Sequence, residues 1–208
     1  MDITQLFRSY DPDRLPPQAA EPYCPRCGAV MAASSGAPRM RCAECGFVRY
    51  RNPIPSVIVV VEREGRVLLG RRAAWNILGG TWCLPGGFIE WEEDFLSAGR
   101  REVREETGLV VRIDRILNVV TNHLSPALHV LAVVLLASVV SGAERPGDDI
   151  VELGWFAPGG PLPEMAFEAD AVGLRRFAEM RAGGSSFGDA DGLLVDPRRS
   201  GAAGEGNR

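Results

Sequence analysis

The chain has 208 residues, 46% of them hydrophobic and 24% charged, with a formal charge of −4 at neutral pH. That size suits one medium domain with a small appendage. The acidic balance excludes a general attraction for DNA or anionic membranes, so an anionic ligand has to be met by local cations.

Residues 1–21 are polar and proline-containing, with at most a short helix expected near Ile3 to Ser9. The opening MDITQLFRSYDPDR has no basic stretch followed by an apolar one, so no signal peptide is read and a cytoplasmic location is expected. Residues 22–50 carry CPRC at Cys24 and Cys27 and CAEC at Cys42 and Cys45, fourteen residues apart, each followed by a glycine. Paired CxxC knuckles place four thiolates around a tetrahedral zinc, with Gly28 and Gly46 easing the turns. Two disulfides are the competing reading, which a cytosolic chain disfavours. Asn52-Pro53-Ile54-Pro55 then reads as a stiff linker.

Strands are expected at Ser56 to Glu62 and Arg66 to Gly70, joined as a hairpin at Glu64-Gly65, and at Thr81 to Leu84, followed by a loop at Pro85-Gly86-Gly87. Cys83 lies among apolar neighbours and reads as a packed core thiol. A helix from Asp94 to Thr107 ends at Gly108 as its left-handed cap. Phe95, Gly99 and Val103 recur every four residues and should face a sheet. Glu102, Glu105 and Glu106 share another face. Like charges at that spacing repel, and a hard cation held by carboxylates and substrate phosphates would relieve them. A merely solvated acidic face is the alternative.

Further strands are expected near Val110 to Val120, His129 to Val140 and Val151 to Phe156, then a helix near Glu168 to Met180. The apolar run 127–140, broken by His129 and Ser138, is too short to span a membrane as a helix and reads as a buried strand. Residues after Ala182 are small and polar, a composition that predicts disorder.

The spacing around the acidic helix is more specific than its charge. Gly87, five residues, Glu93, seven residues, then Arg101-Glu102-Val103-Arg104-Glu105-Glu106-Thr107-Gly108-Leu109 resembles the Nudix box at every defined position. The resemblance runs from about Ser56 to Met180, and the cysteine segment resembles the zinc ribbon that precedes the Nudix domain in a set of pyrophosphatases. It implies an α/β fold, a Nudix α/β/α sandwich with a mixed sheet preceded by a small zinc ribbon. The boundaries are 1–21 for an N-terminal extension, 22–50 for the ribbon, 53–182 for the hydrolase domain and 183–208 for the tail.

The resemblance further implies hydrolysis of a nucleoside diphosphate linked to another moiety, with magnesium or manganese. Arg101, Glu102, Glu105 and Glu106 are then the catalytic set, and Gly87 (by its carbonyl), Glu93, Glu102, Glu105 and Glu106 the metal-binding set. A general base comes either from the box or from a later loop, where Glu144, Asp148, Asp149 and Glu152 are the acidic candidates. Trp75, Trp91 and Phe167 are aromatics able to stack an adenine; Trp75 and Phe167 read equally well as core packing, and Trp91, in the variable part of the box, is the candidate for the substrate.

Members specific for NADH carry an SQPWPFP-type stretch where this chain has NVVTNHLSPALHV. Members acting on ADP-ribose tend to have a proline fifteen or sixteen residues past the box, and Pro126 stands seventeen past Leu109. Met165-Ala166-Phe167 looks like the LAF stretch of ADP-ribose and FAD relatives. ADP-ribose or a related adenosine diphosphate compound is favoured. A nucleoside triphosphatase and a ligand-sensing regulatory protein are the rivals, and a homodimer is left open. The complete set of glutamates and the lack of a basic excess argue against a sensor or nucleic-acid module.

Overall fold

The computed structural model describes residues 4–6, 23–31, 39–50, 52–125 and 128–183. The rest of the 1–21 extension and the tail beyond Gly183 lie outside these residues. The expected helix near Ile3 to Ser9 is corrected where it is described: Thr4–Leu6 is a strand, β1, paired in parallel with Val120, Thr121 and Asn122. Pairing to an existing sheet edge overrides a weak local helix preference.

Two short strands, β2 (Arg39–Arg41) and β3 (Val48–Tyr50), form the ribbon's hairpin, and an isolated bridge joins Tyr23 to Val30. Met31, Met40 and Phe47 pack against the cysteines in a small core of their own.

The remaining strands build one sheet with β1. They are β4 (Ile54–Arg63), β5 (Arg66–Arg72), β6 (Trp82–Cys83), β7 (Gly86–Phe88), β8 (Leu109–Ser125), β9 (Leu128–Gly142) and β10 (Ile150–Phe156). The main order is β1-β8-β9-β4-β5-β10, with β7 on β4 and β6 on β5. β4 and β9 run parallel while β8–β9 and β4–β5 are antiparallel, so the sheet is mixed. Glu64 and Gly65 close the expected hairpin with φ of 53° and 79°, the doubly left-handed turn that suits strand twist. The stiff linker is shorter than expected, because Ile54 and Pro55 already pair with β9 as the start of β4, a position a proline tolerates.

Two helices, α1 (Phe95–Thr107) and α2 (Glu168–Arg181), cover opposite faces. Val57, Val59 and Val61 of β4, with Leu68, Leu135 and Ala137, pack under Ala98 and Val103 of α1. Val60, Val67, Leu69, Val134 and Leu136 point the other way, under Ala169, Val172, Leu174 and Phe177 of α2. The period-2 alternation of strands thus feeds two cores, and central strands covered on both faces read as unbroken apolar runs. This is the expected α/β/α sandwich. Gly99 lets α1 lie close on the sheet: a Cβ there would meet Leu135 Cδ1 at 2.8 Å.

The Pro85-Gly86-Gly87 loop is also corrected, since Gly86 and Gly87 belong to β7 and pair with Ile58 and Val57. Glycine has poor strand propensity, but a Cβ at Gly86 would sit 2.3 Å from Val57 O. The close pairing itself requires glycine.

Candidate active site and metal centre

Asp94 caps α1, its Oδ1 accepting from the N–H groups of Leu96 and Ser97 at 2.9 and 2.8 Å. Gly108 ends the helix at φ 73°, donating to Arg104 O. The following strand pair returns through residues 143–149, which fold over the helix end. Arg145 N–H donates to Thr107 O at 2.9 Å and Gly147 N–H to Glu106 O at 3.1 Å, satisfying carbonyls a helix terminus leaves open.

These elements surround a cavity of about 480 Å³, lined by Glu102 and Glu106 of α1, Gly86 and Gly87 of β7, and Asp148 and Asp149 of the 143–149 loop. Arg72, Asn122, Phe167 and Asp170 also line it.

The sequence put Glu102, Glu105 and Glu106 on one surface, and the structure divides them. Glu102 and Glu106 are buried, at 8% and 3% exposure, while the Glu105 side chain is 53% exposed. Burial, the dominant cause, raises the pKa of both buried glutamates, Glu106 the more strongly, and their mutual charge adds to it for Glu106. Glu106 Oε2 accepts from Gly86 N–H at 2.9 Å. A Cβ on Gly87 would lie 2.4 Å from Glu102 Oε1, so the glycine makes room for that carboxylate.

Arg101 uses all five of its N–H donors. Nε and Nη2 grip the two oxygens of Glu93 at 3.0 and 2.5 Å, Nη1 reaches Glu102 at 2.8 Å and Glu105 at 3.1 Å, and Nη2 also donates to Phe88 O at 3.1 Å. The guanidinium holds Glu93 below the usual carboxylate pKa. Glu93 Oε1 accepts a further bond from Glu90 N–H at 3.0 Å, which leaves both its oxygens engaged.

The four loop candidates separate as sharply. Glu144 pairs with Arg63, and Glu152 with Arg71 at 2.7 Å, both on the surface. Asp149 lines the cavity but is bound by Arg72 (3.2 Å) and Asn76. Asp148 lines the cavity at φ 51° and takes part in no ion pair or hydrogen bond among the described residues. Trp91 is 99% exposed and outside the cavity lining; the aromatics that do line it are Phe88 and Phe167, the latter with the Arg72 guanidinium 5.2 Å over its ring. Trp75, which could have been core packing, is 77% exposed.

Sequence reasoning missed Arg72, Asn122 and Asp170. A signal existed for Asp170, which falls at helical spacing with Leu174 and Phe177 inside the apolar stripe of α2. It is fully buried, its Oδ2 accepts from Leu84 N–H at 3.1 Å, and burial pushes its pKa up to about 7. Cys83 is buried as expected, its thiol pKa raised by burial and by Asp170.

In the ribbon, Cys24, Cys27, Cys42 and Cys45 bring their sulfurs within 4.8 Å of one another. The Cys24–Cys45 and Cys27–Cys42 separations are both 3.6 Å. That is far beyond a disulfide bond, and close to the ~3.8 Å edge of a tetrahedron with metal–sulfur bonds near 2.3 Å. The two knuckles are copies of one turn: Gly28 and Gly46 have φ of 75° and 72° and donate to Cys24 O and Cys42 O.

The NUDIX domain pattern matches residues 52–177. The chain is 33% identical over 124 residues to an ADP-ribose pyrophosphatase of Methanocaldococcus jannaschii, covering 59% of this chain and 72% of that protein. It is 34% identical over 136 residues to an NAD-capped RNA hydrolase NudC of Pseudomonas aeruginosa, covering 65% of this chain and 47% of the relative, about half its length. Among solved structures, a NUDIX hydrolase from Nitrosomonas europaea superposes with a TM-score of 0.67 at 28% identity, over 80% of this chain and 96% of that one.

Proposed function

The chain belongs to the NUDIX family and is a NUDIX hydrolase, and from that premise we propose that it cleaves the diphosphate of ADP-ribose or a related adenosine diphosphate compound with magnesium or manganese. The observation that carries the reading is the buried pair Glu102 and Glu106, opening on a cavity of about 480 Å³, a volume suited to a small ligand. The name of the Methanocaldococcus jannaschii relative supports the choice of substrate.

The residues fit a hard cation. Two buried carboxylates, set against a glycine strand whose missing Cβ leaves space for Glu102, are oxygen donors whose charges otherwise oppose each other. Glu102 and Glu106 would hold the metal, with Glu105 and the Gly87 carbonyl as further donors. When bound, a divalent ion neutralises diphosphate charge and lowers the pKa of a coordinated water.

The chain's own groups divide the remaining work. Arg101 orients Glu102 and Glu105, and Glu93 fixes Arg101 in turn, a supporting role through both its oxygens. Asp148, free of protein partners at the cavity wall, is the general base, taking the proton of the attacking water. Phe167 and the apolar walls, with Asn122 and Asp170 as polar contacts, receive the nucleoside. The cysteine cluster holds a structural zinc.

A substrate panel with magnesium and with manganese tests this. AMP plus ribose 5-phosphate from ADP-ribose is the expected product pair. Turnover confined to nucleoside triphosphates, releasing a monophosphate and pyrophosphate, contradicts it.

A further inference from the structure

The residues lining the cavity include the carboxyl groups of Glu102, Glu106, Asp148, Asp149 and Asp170, and a single cation, Arg72. The chain has no lysine, so a permanent positive side chain can come only from arginine. An anionic ligand brought to so acidic a wall is repelled unless cations meet it there.

Arg72 ends β5, and its backbone is tied across the base of the 73–81 loop. Its N–H donates to Thr81 O and its carbonyl accepts from Gly80 N–H, both at 2.9 Å. The side chain is only 9% exposed. Nε donates to Ile77 O at 2.9 Å and Nη2 stands 3.2 Å from Asp149 Oδ2. Nη1 meets the Cys83 sulfur at 3.9 Å, a weak acceptor. Those contacts leave two of the five guanidinium N–H groups without an acceptor among the described residues. Arg101 differs, since its donors all go to carboxylates and a carbonyl. Burying a cation with donors unspent costs free energy that a fully paired structural arginine avoids.

The position of the guanidinium says which group the free donors face. On one flank it lies 5.2 Å over the Phe167 ring. On the other is Asp149, close enough for its charge to bear on Glu106. Arg72 thus stands between the aromatic wall and the carboxylate pair.

We infer that Arg72 binds the substrate phosphate attached to the nucleoside, its unspent N–H groups forming a fork on two phosphate oxygens. This rests on the diphosphate reading above, with the nucleoside against Phe167 and the metal on Glu102 and Glu106.

The test is calorimetric titration of the full chain, with magnesium present, by matched pairs of nucleoside and nucleoside 5′-monophosphate, adenosine and AMP first. These ligands hold no diphosphate to cleave, so binding alone is read. Wild type is compared with R72Q and with R72Q/D149N, which avoids leaving Asp149 as a buried charge without its cation. Asn at 149 keeps an oxygen acceptor for the Asn76 amide. The gain in affinity from nucleoside to monophosphate should fall by about tenfold or more in both variants, the scale of charge-assisted hydrogen bonds. Nucleoside affinity should stay within about twofold, so that the loss is specific to the phosphate. Equal losses for nucleoside and monophosphate would show that Arg72 only holds the wall in shape, and would overturn the inference. So would an undiminished gain in R72Q/D149N, or a wild type that binds no monophosphate better than its nucleoside. An Arg72-dependent gain with a base other than adenine would correct the choice of substrate and leave Arg72 in its role.

Discussion

Asp170 shows how a single buried acid ties stability to pH. Its folded pKa of about 7 stands above the ordinary aspartate value of 3.8, so the native state holds the proton more tightly than the unfolded chain. Stability should therefore fall as pH rises from 3.8 towards 7, the reverse of a salt-bridged aspartate. Asp170→Asn keeps an acceptor for Leu84 N–H and removes the charge. Its melting temperature should exceed that of the wild type at pH 8 and match it near pH 4, measured by calorimetry. A lower melting temperature at pH 8 contradicts the burial argument. The loop acids offer a second contrast. Asp148→Asn should lower kcat by about a hundredfold or more, the scale of a lost general base. Glu144→Gln and Glu152→Gln remove surface pairs worth about 0–1 kcal/mol and should stay within about twofold in steady-state rate. Equal losses in all three would withdraw Asp148 as the base.

At the scale of elements, most of what positions the site was legible in the chain. Asp94, the 3.6-residue repeat of Phe95, Gly99 and Val103, and Gly108 define α1 from cap to cap. The Glu64-Gly65 turn fixed the hairpin. The departures share one cause, pairing partners distant in sequence. β1 is a strand because β8 offers it an edge, and β7 is one because β4 does, in spite of two glycines. The split of the glutamates follows β7, against whose Gly86 and Gly87 the Glu106 and Glu102 carboxylates lie, and no local pattern states where that strand packs. Gly87 gives this scale its test. The nearest atoms a Cβ there would meet are those of the Glu102 carboxylate, at 2.4–2.8 Å, and the far end of a side chain can move aside. Gly87→Ala should thus fold with a melting temperature within a few degrees of the wild type, yet lose most of its kcat. Unchanged turnover would show that the position of Glu102 is not critical.

The whole molecule joins two cores that draw on different sources of stability. The sandwich buries apolar side chains on both faces of its sheet, each fully buried valine or leucine contributing about 1.5–3 kcal/mol. Among its described residues the ribbon buries only Cys24, Met31 and Cys42, too little to hold a fold, so on the proposed zinc reading metal–thiolate bonds supply its folding free energy. Elemental analysis should find about one zinc per chain. Chelation should abolish amide protection in the ribbon while the 52–177 region keeps its own. Zinc-free protein with an ordered ribbon would contradict this. No helix among the described residues is long and apolar enough to cross a membrane.

The account turns on Glu102 and Glu106 holding the cation that makes diphosphate cleavage feasible. The most direct measurement is a manganese titration of metal-stripped wild type and Glu106→Gln, with ADP-ribose turnover and product identity followed in the same samples. Gln keeps an acceptor for Gly86 N–H and relieves a buried charge, so the variant should melt no lower than the wild type. The account predicts activity restored by manganese in the wild type, with AMP and ribose 5-phosphate as products. It predicts a turnover lower by orders of magnitude in the variant, with weaker metal binding. A folded variant with wild-type turnover and an unchanged manganese dependence would contradict it.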